Sequence, residues 1–139
     1  MDAKELLRFQ LDDAGNQVAK TLEGLDGIKW DTKMREDLMS PKEVVAHLTE
    51  CYIAARKHAD GEKHEWGSYL PETEDAAALV DGMWAERRAA CDALLSKGDE
   101  DSMKAATSYI VLHDAYHVGQ LAALRMQLTP DWDPYSIYS

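Results

Sequence analysis

The sequence predicts an all-α protein, an antiparallel four-helix bundle, and three observations carry that reading. Four segments repeat apolar residues at helical spacing and have recognisable ends. No stretch sustains period-two alternation, and no Asn-Gly or Asp-Gly turn separates two strand-like runs. Amphipathic helices of similar length bury their apolar faces most economically against one another.

The first helix is expected from about Asp2 to Leu25. Asp2 and Glu5 fit a capping box, and Leu7, Leu11, Ala14, Val18, Leu22 and Leu25 form one stripe. The second has the clearest start signal, Met39-Ser40-Pro41-Lys42-Glu43-Val44. Ser40 caps, Pro41 suits the first helical position, Glu43 reaches back and Met39 staples onto Val44. It runs to about Asp60, where Gly61 stops it. The third is expected from near Thr73 to near Gly98, burying Ala76, Val80, Met83 or Trp84, Cys91 and Leu94. The fourth runs from about Asp101 to Leu128, and Pro130 prevents its continuation. The connections at 26–39 and 61–72 exceed what a tight bundle needs, so each is expected to carry something at the bundle's end.

With 139 residues and no internal repeat or linker, the chain reads as one domain over 1–139. Its 45% hydrophobic and 29% charged residues fit a folded chain rather than a disordered one. Twenty-six acidic residues against fifteen basic ones give a net charge of −11, which repels phosphate backbones and anionic membranes. Nucleic acid and membrane are therefore not expected as partners. No segment approaches the ~20 apolar residues of a membrane span. The amphipathic N-terminus lacks the basic and apolar regions of a secretory signal. Cys51 and Cys91 lie inside expected helices without framework spacing, so they read as reduced thiols of a cytoplasmic protein.

The chemistry appears when the histidines are placed on these helices. His113 and His117 are four residues apart, about 40° in azimuth and roughly 6 Å along the axis, so both imidazoles can meet one ion. Both fall on the inward stripe Ala106, Ile110, His113, His117, Gln120, Leu124. His47 falls on the inward stripe of the second helix with Val44, Leu48, Cys51 and Ala55. Three imidazoles in a core must satisfy six ring nitrogens, and one shared cation relieves that cost. Neutral imidazole suits zinc, nickel, iron and copper. The plainer reading is a chance His-x-x-x-His pair whose members bond backbone carbonyls.

These residues resemble a known family. The segment His113-Asp114-Ala115-Tyr116-His117-Val118-Gly119-Gln120-Leu121, the inward His47 and the Trp132-Asp133-Pro134-Tyr135 ending are similar to the DinB-like superfamily of damage-inducible four-helix proteins. The resemblance spans nearly the whole chain. It implies an up-down-down-up bundle, a three-histidine metal site at His47, His113 and His117 open to solvent on one side, and frequently a homodimer. Some members of the family are thiol-dependent S-transferases or isomerases.

A three-histidine ion keeps coordination positions free, as catalytic rather than structural ions do. Zinc or nickel there would lower the pKa of a bound water or thiol. The ligand set does not decide between the two, and the resemblance implies metal-dependent transfer of a low-molecular-weight thiol to a small electrophilic substrate as the expected function. A metal-dependent hydrolase and a non-catalytic, stress-related metal-binding protein stay open as alternatives.

Several neighbours have two readings. Glu50, one turn from His47, is a candidate catalytic residue that orients a ligand or acts as a base; otherwise it is a solvated helix acid. Gln120, also a catalytic candidate, bonds a ligand or water; otherwise it is a packing amide. Asp114 could support a metal ligand from behind, but it lies well off the azimuth of His113 and reads as a surface acid, and Tyr116 also points away and reads as a packing residue. Cys51 reads as a small buried hydrophobe rather than a ligand. His58 is about 16 Å along the helix from His47 and cannot share its ion. His64 reads as solvated loop chemistry, beside aromatics that line a pocket mouth. The aromatic tail 131–138 is expected to pack back on the bundle.

Overall fold

Two capping boxes start the first two helices of the computed structural model, which describes residues 1–139. In α1 (Ala3–Leu22), the Glu5 amide donates to Asp2 Oδ1 and the Asp2 amide to Glu5 Oε2, each at 2.8 Å. In α2 (Pro41–Ala59), the amides of Glu43 and Ser40 donate to each other's side chains, both at 3.2 Å, and Pro41 opens the helix. These bonds satisfy amides that a helix start otherwise leaves unpaired.

The helix ends differ in part from expectation. α1 stops at Leu22 rather than Leu25, because Glu23 turns extended and Gly24 takes a φ of 78°. Leu25 still packs partly against the core, and its carbonyl accepts from Trp30 Nε1 at 3.1 Å. α3 (Ala76–Lys97) starts later than Thr73, since the cap is Asp75, whose side chain accepts from the Ala78 amide. Gly98, at φ 61°, ends it in the left-handed region that favours glycine.

The fourth helical rod has three parts. α4 (Glu100–Ala106) is capped by Asp99, a π-helical segment covers Thr107–Val111, and α5 (Leu112–Leu128) follows with no break in helical angles. The π segment places one wide turn immediately before His113.

The chain is all-helical and packs as a helical bundle, with α2 most extensively against α3 and α1 against α5. Its core runs through Leu7, Leu11 and Val18 of α1, Val44, Leu48 and Tyr52 of α2, and Met83 and Leu94 of α3, to Ile110 and Leu121. Each fully buried Leu or Met stabilises the fold by about 1.5–3 kcal/mol. No helix is long and apolar enough to cross a membrane. The tail packs back as expected: Ile137 joins the core, and the final short helix (Pro134–Tyr138) lies against α1.

The buried face of α3 is rotated from the expected one. Leu79, Met83, Arg87, Ala90, Leu94 and Leu95 are buried, whereas Ala76, Val80, Trp84 and Cys91 are only half-buried at its edge. An arginine in the middle of the stripe concealed it from a hydrophobic count.

Candidate metal centre

The site is built from the middle of α2 and the start of α5. His47 Nε2 lies 3.3 Å from His113 Nε2, and His117 Nε2 lies 3.1 Å from the same atom. One ligand atom from each of the three rings falls within 4.8 Å of the others. The i,i+4 spacing on α5 aims two rings at one point, and the packed α2 supplies the third. The structure thus brings together all three histidines singled out from the sequence.

The cluster suits a cation. Gln120 Oε1 lies 2.8 Å from His117 Nδ1, an arrangement in which Nδ1–H donates and Nε2 turns a lone pair to the centre. Three lone pairs brought together repel unless a cation or a shared proton lies between them. Tetrahedral coordination with bonds of about 2.0–2.1 Å separates nitrogens by about 3.3 Å, matching the 3.1 and 3.3 Å found here.

Burial favours the neutral form of two of the rings, His113 and His117. It pushes His117 down to about 4, aided by His113 and His47 and opposed by the Gln120 bond. His113 is lowered too, by burial first and then by His47. Neutral imidazole is the form that binds metal. Cys51 Sγ sits 3.7 Å from His47 Nε2, but burial, with Glu50 and Asp114, pushes its thiol up to about 12.

A cavity of about 470 Å³ opens beside the cluster, bordered by Cys51, His58, His64, Trp66, Tyr109 and His113. Tyr109 comes from the π segment, and His64 and Trp66 come from the long 61–75 connection. His58 pairs with Asp101 at 2.9 Å at the rim, away from the three nitrogens.

A family model described as the DinB superfamily matches residues 10–123, well over half of the chain and all three histidines. The chain belongs to the DinB superfamily. Neither a curated protein nor a solved structure matches it.

Two readings of this superfamily member's site region need correction. Asp114 is not a surface acid: it is fully buried, accepting from Tyr52 Oη at 2.6 Å and from Arg87. The α5 surface buried by its neighbours is wider than one stripe, so residues about 100° from His113 also face inward. His64 is not solvated either. Its side chain is 5% exposed, and its Nε2 lies 3.0 Å from Glu50 Oε1.

The two catalytic candidates sit differently. Gln120 contacts the three-histidine cluster through His117 Nδ1. Glu50 faces the loop, where Oε1 also accepts from the Gly67 amide at 2.6 Å. Burial pushes Glu50 up, but the bonds from His64, Gly67 and Tyr69 outweigh it and hold the carboxyl below its usual range. Arg87 and His64 were missed as contributors; the sequence signal for Arg87 was a cation inside an apolar stripe, and for His64 an aromatic-rich loop returning toward α2.

Proposed function

We propose that this DinB-superfamily protein is a metal-dependent thiol S-transferase acting on a small electrophile with an exogenous low-molecular-weight thiol. The single observation that carries this reading is the convergence of His47, His113 and His117 on one point bordering an open cavity. Zinc or nickel at these imidazoles would supply a Lewis-acid centre that makes a bound thiol or water more acidic.

The chain's own groups do the rest. Gln120 orients His117, and the half-apolar cavity wall of Cys51, Trp66 and Tyr109 accepts the electrophile while limiting access of water. Cys51 is a buried residue of the cavity wall, and the nucleophile of this reading is a thiol brought in from outside. The net charge of −11 favours a small substrate over a polyanion.

Further parts of the reading are proposals of the same kind. The four rods wind up-down-down-up, supported by the pairing of α1 with α5 and α2 with α3. One domain spans 1–139, supported by a core that draws on residues from Leu7 to Ile137. The protein acts in the cytoplasm, as its two free cysteines suggest, and pairs as a homodimer.

The test is conjugation of monobromobimane with cysteine or glutathione. The rate should require both metal and thiol, vanish in His117→Ala and persist in Cys51→Ser. A rate that survives chelation, or that neither thiol raises above background, ends the transferase reading. Metal-dependent ester cleavage without thiol would redirect it to a hydrolase.

A further inference from the structure

The 61–75 connection delivers a histidine to the cavity that the metal centre does not use. His64 borders the same cavity as His113 and Cys51, and its side chain is 5% exposed. Its Nε2 lies 3.0 Å from Glu50 Oε1, and the same oxygen takes the Gly67 amide at 2.6 Å. An ionised carboxylate has no proton to give, so Nε2 carries the hydrogen, and in the neutral ring Nδ1 is the atom with the lone pair. That Nδ1 is buried and has no hydrogen-bond partner. The ring is further held by Trp66, edge-on with centroids 4.7 Å apart. A buried acceptor left open, on a ring fixed by a carboxylate, is the arrangement of a base awaiting a proton donor.

We propose that His64 is the general base of the cavity, taking the proton of the incoming thiol at Nδ1, and that Glu50 is its positioning residue. The inference rests on the transferase reading above. In the step, the S–H proton passes to His64 Nδ1 and the sulfur electron pair forms the new C–S bond. The bond from carbon to the leaving group breaks, and the leaving group departs with that pair. The imidazolium then gives its proton to solvent, so thiol and electrophile become thioether, the departed leaving group and a released proton. The other free histidine of the cavity is less suited: the His58–Asp101 pair lies exposed at the rim, its side chains 40% and 74% accessible, so water competes for its ring.

Two measurements test it. Nitrogen-15 NMR of the metal-free protein should show His64 as the Nε2–H tautomer, a preference that Glu50→Gln weakens. In the metal-loaded enzyme, His64→Gln should lower kcat for monobromobimane with cysteine by about a hundredfold or more. Metal content and the KM for cysteine should stay unchanged, and added imidazole should restore part of the rate. A His64→Gln rate within about twofold of the parent, against the hundredfold expected of a general base, overturns the base assignment and leaves the transferase reading standing. So does an Nδ1–H tautomer in the parent protein. Parent conjugation at background overturns the transferase reading and this step with it.

Discussion

Asp114 Oδ2 accepts two hydrogen bonds from Arg87, from Nε at 3.1 Å and from Nη2 at 2.9 Å, inside the bundle. Arg87 Nη2 also donates to the Leu11 carbonyl at 2.6 Å, and Tyr52 donates to Asp114 Oδ1. One ion pair thereby ties α1, α2, α3 and α5 together beside His113. Burial pulls the Arg87 guanidinium down, but Asp114 and Tyr52 outweigh it and hold it above its ordinary value, so it stays charged. Removing one partner strands the other charge, so Arg87→Met should cost about 3–5 kcal/mol. Arg88→Met, on the exposed side of the same helix, should change stability by less than about 0.5 kcal/mol. Urea unfolding compares the two, and equal midpoints would show that the pair holds nothing together.

Gly15 is the space that Arg87 occupies. A Cβ at Gly15 would stand 2.7 Å from Arg87 Nη1 and 2.9 Å from Cζ. The guanidinium is pinned by its bonds to Asp114 and Leu11, so it cannot swing aside freely. Gly15→Ala should therefore destabilise the protein by about 1–3 kcal/mol, although alanine is ordinarily the better helix former. Its cost should shrink when combined with Arg87→Met, since the two changes disturb one contact. Strictly additive costs in a double-mutant cycle would reject the link.

Metal binding should depend on the three imidazoles and on the group that orients them. One divalent ion per chain is expected. His113→Ala should empty the site, and His58→Ala, whose ring pairs with Asp101, should leave occupancy unchanged. Gln120→Leu removes the acceptor for His117 Nδ1 and should weaken metal affinity by about 10–100-fold. Elemental analysis and competition with a chromogenic chelator read these outcomes. Full occupancy in a triple His47/His113/His117→Ala variant would place the metal elsewhere.

Acid should destabilise the metal-free protein through His117. Its pKa is about 4 in the fold and about 6.5 in the unfolded chain. Between those values the unfolded state binds more protons, so stability rises with pH and is lost as pH falls from about 6.5 toward 4. The loss over that window is about 2–3 kcal/mol. His117→Leu should lack this component, giving a flatter dependence of urea midpoint on pH. Parallel pH profiles for parent and variant would remove His117 from the account.

The helices and the three-histidine stripe were legible because their signals are local. Asp2 with Glu5 and Ser40 with Glu43 act within a single turn, and His113 and His117 converge by helical spacing alone. What the sequence by itself determined is thus an all-helical chain with three imidazoles on inward faces.

Only the tertiary structure decided what those imidazoles stand beside. Arg87, Asp114, Tyr52 and Gly15 come from four helices, and no periodicity announces that a buried charge on one has its partner on another. The pairing of His64 with Glu50 depends on the path of the 61–75 connection, held there by the Gly67 amide. Periodicity reports which way a residue faces. A buried polar group is tolerable only where its partner arrives, and that arrival is set by packing between helices rather than by spacing along one.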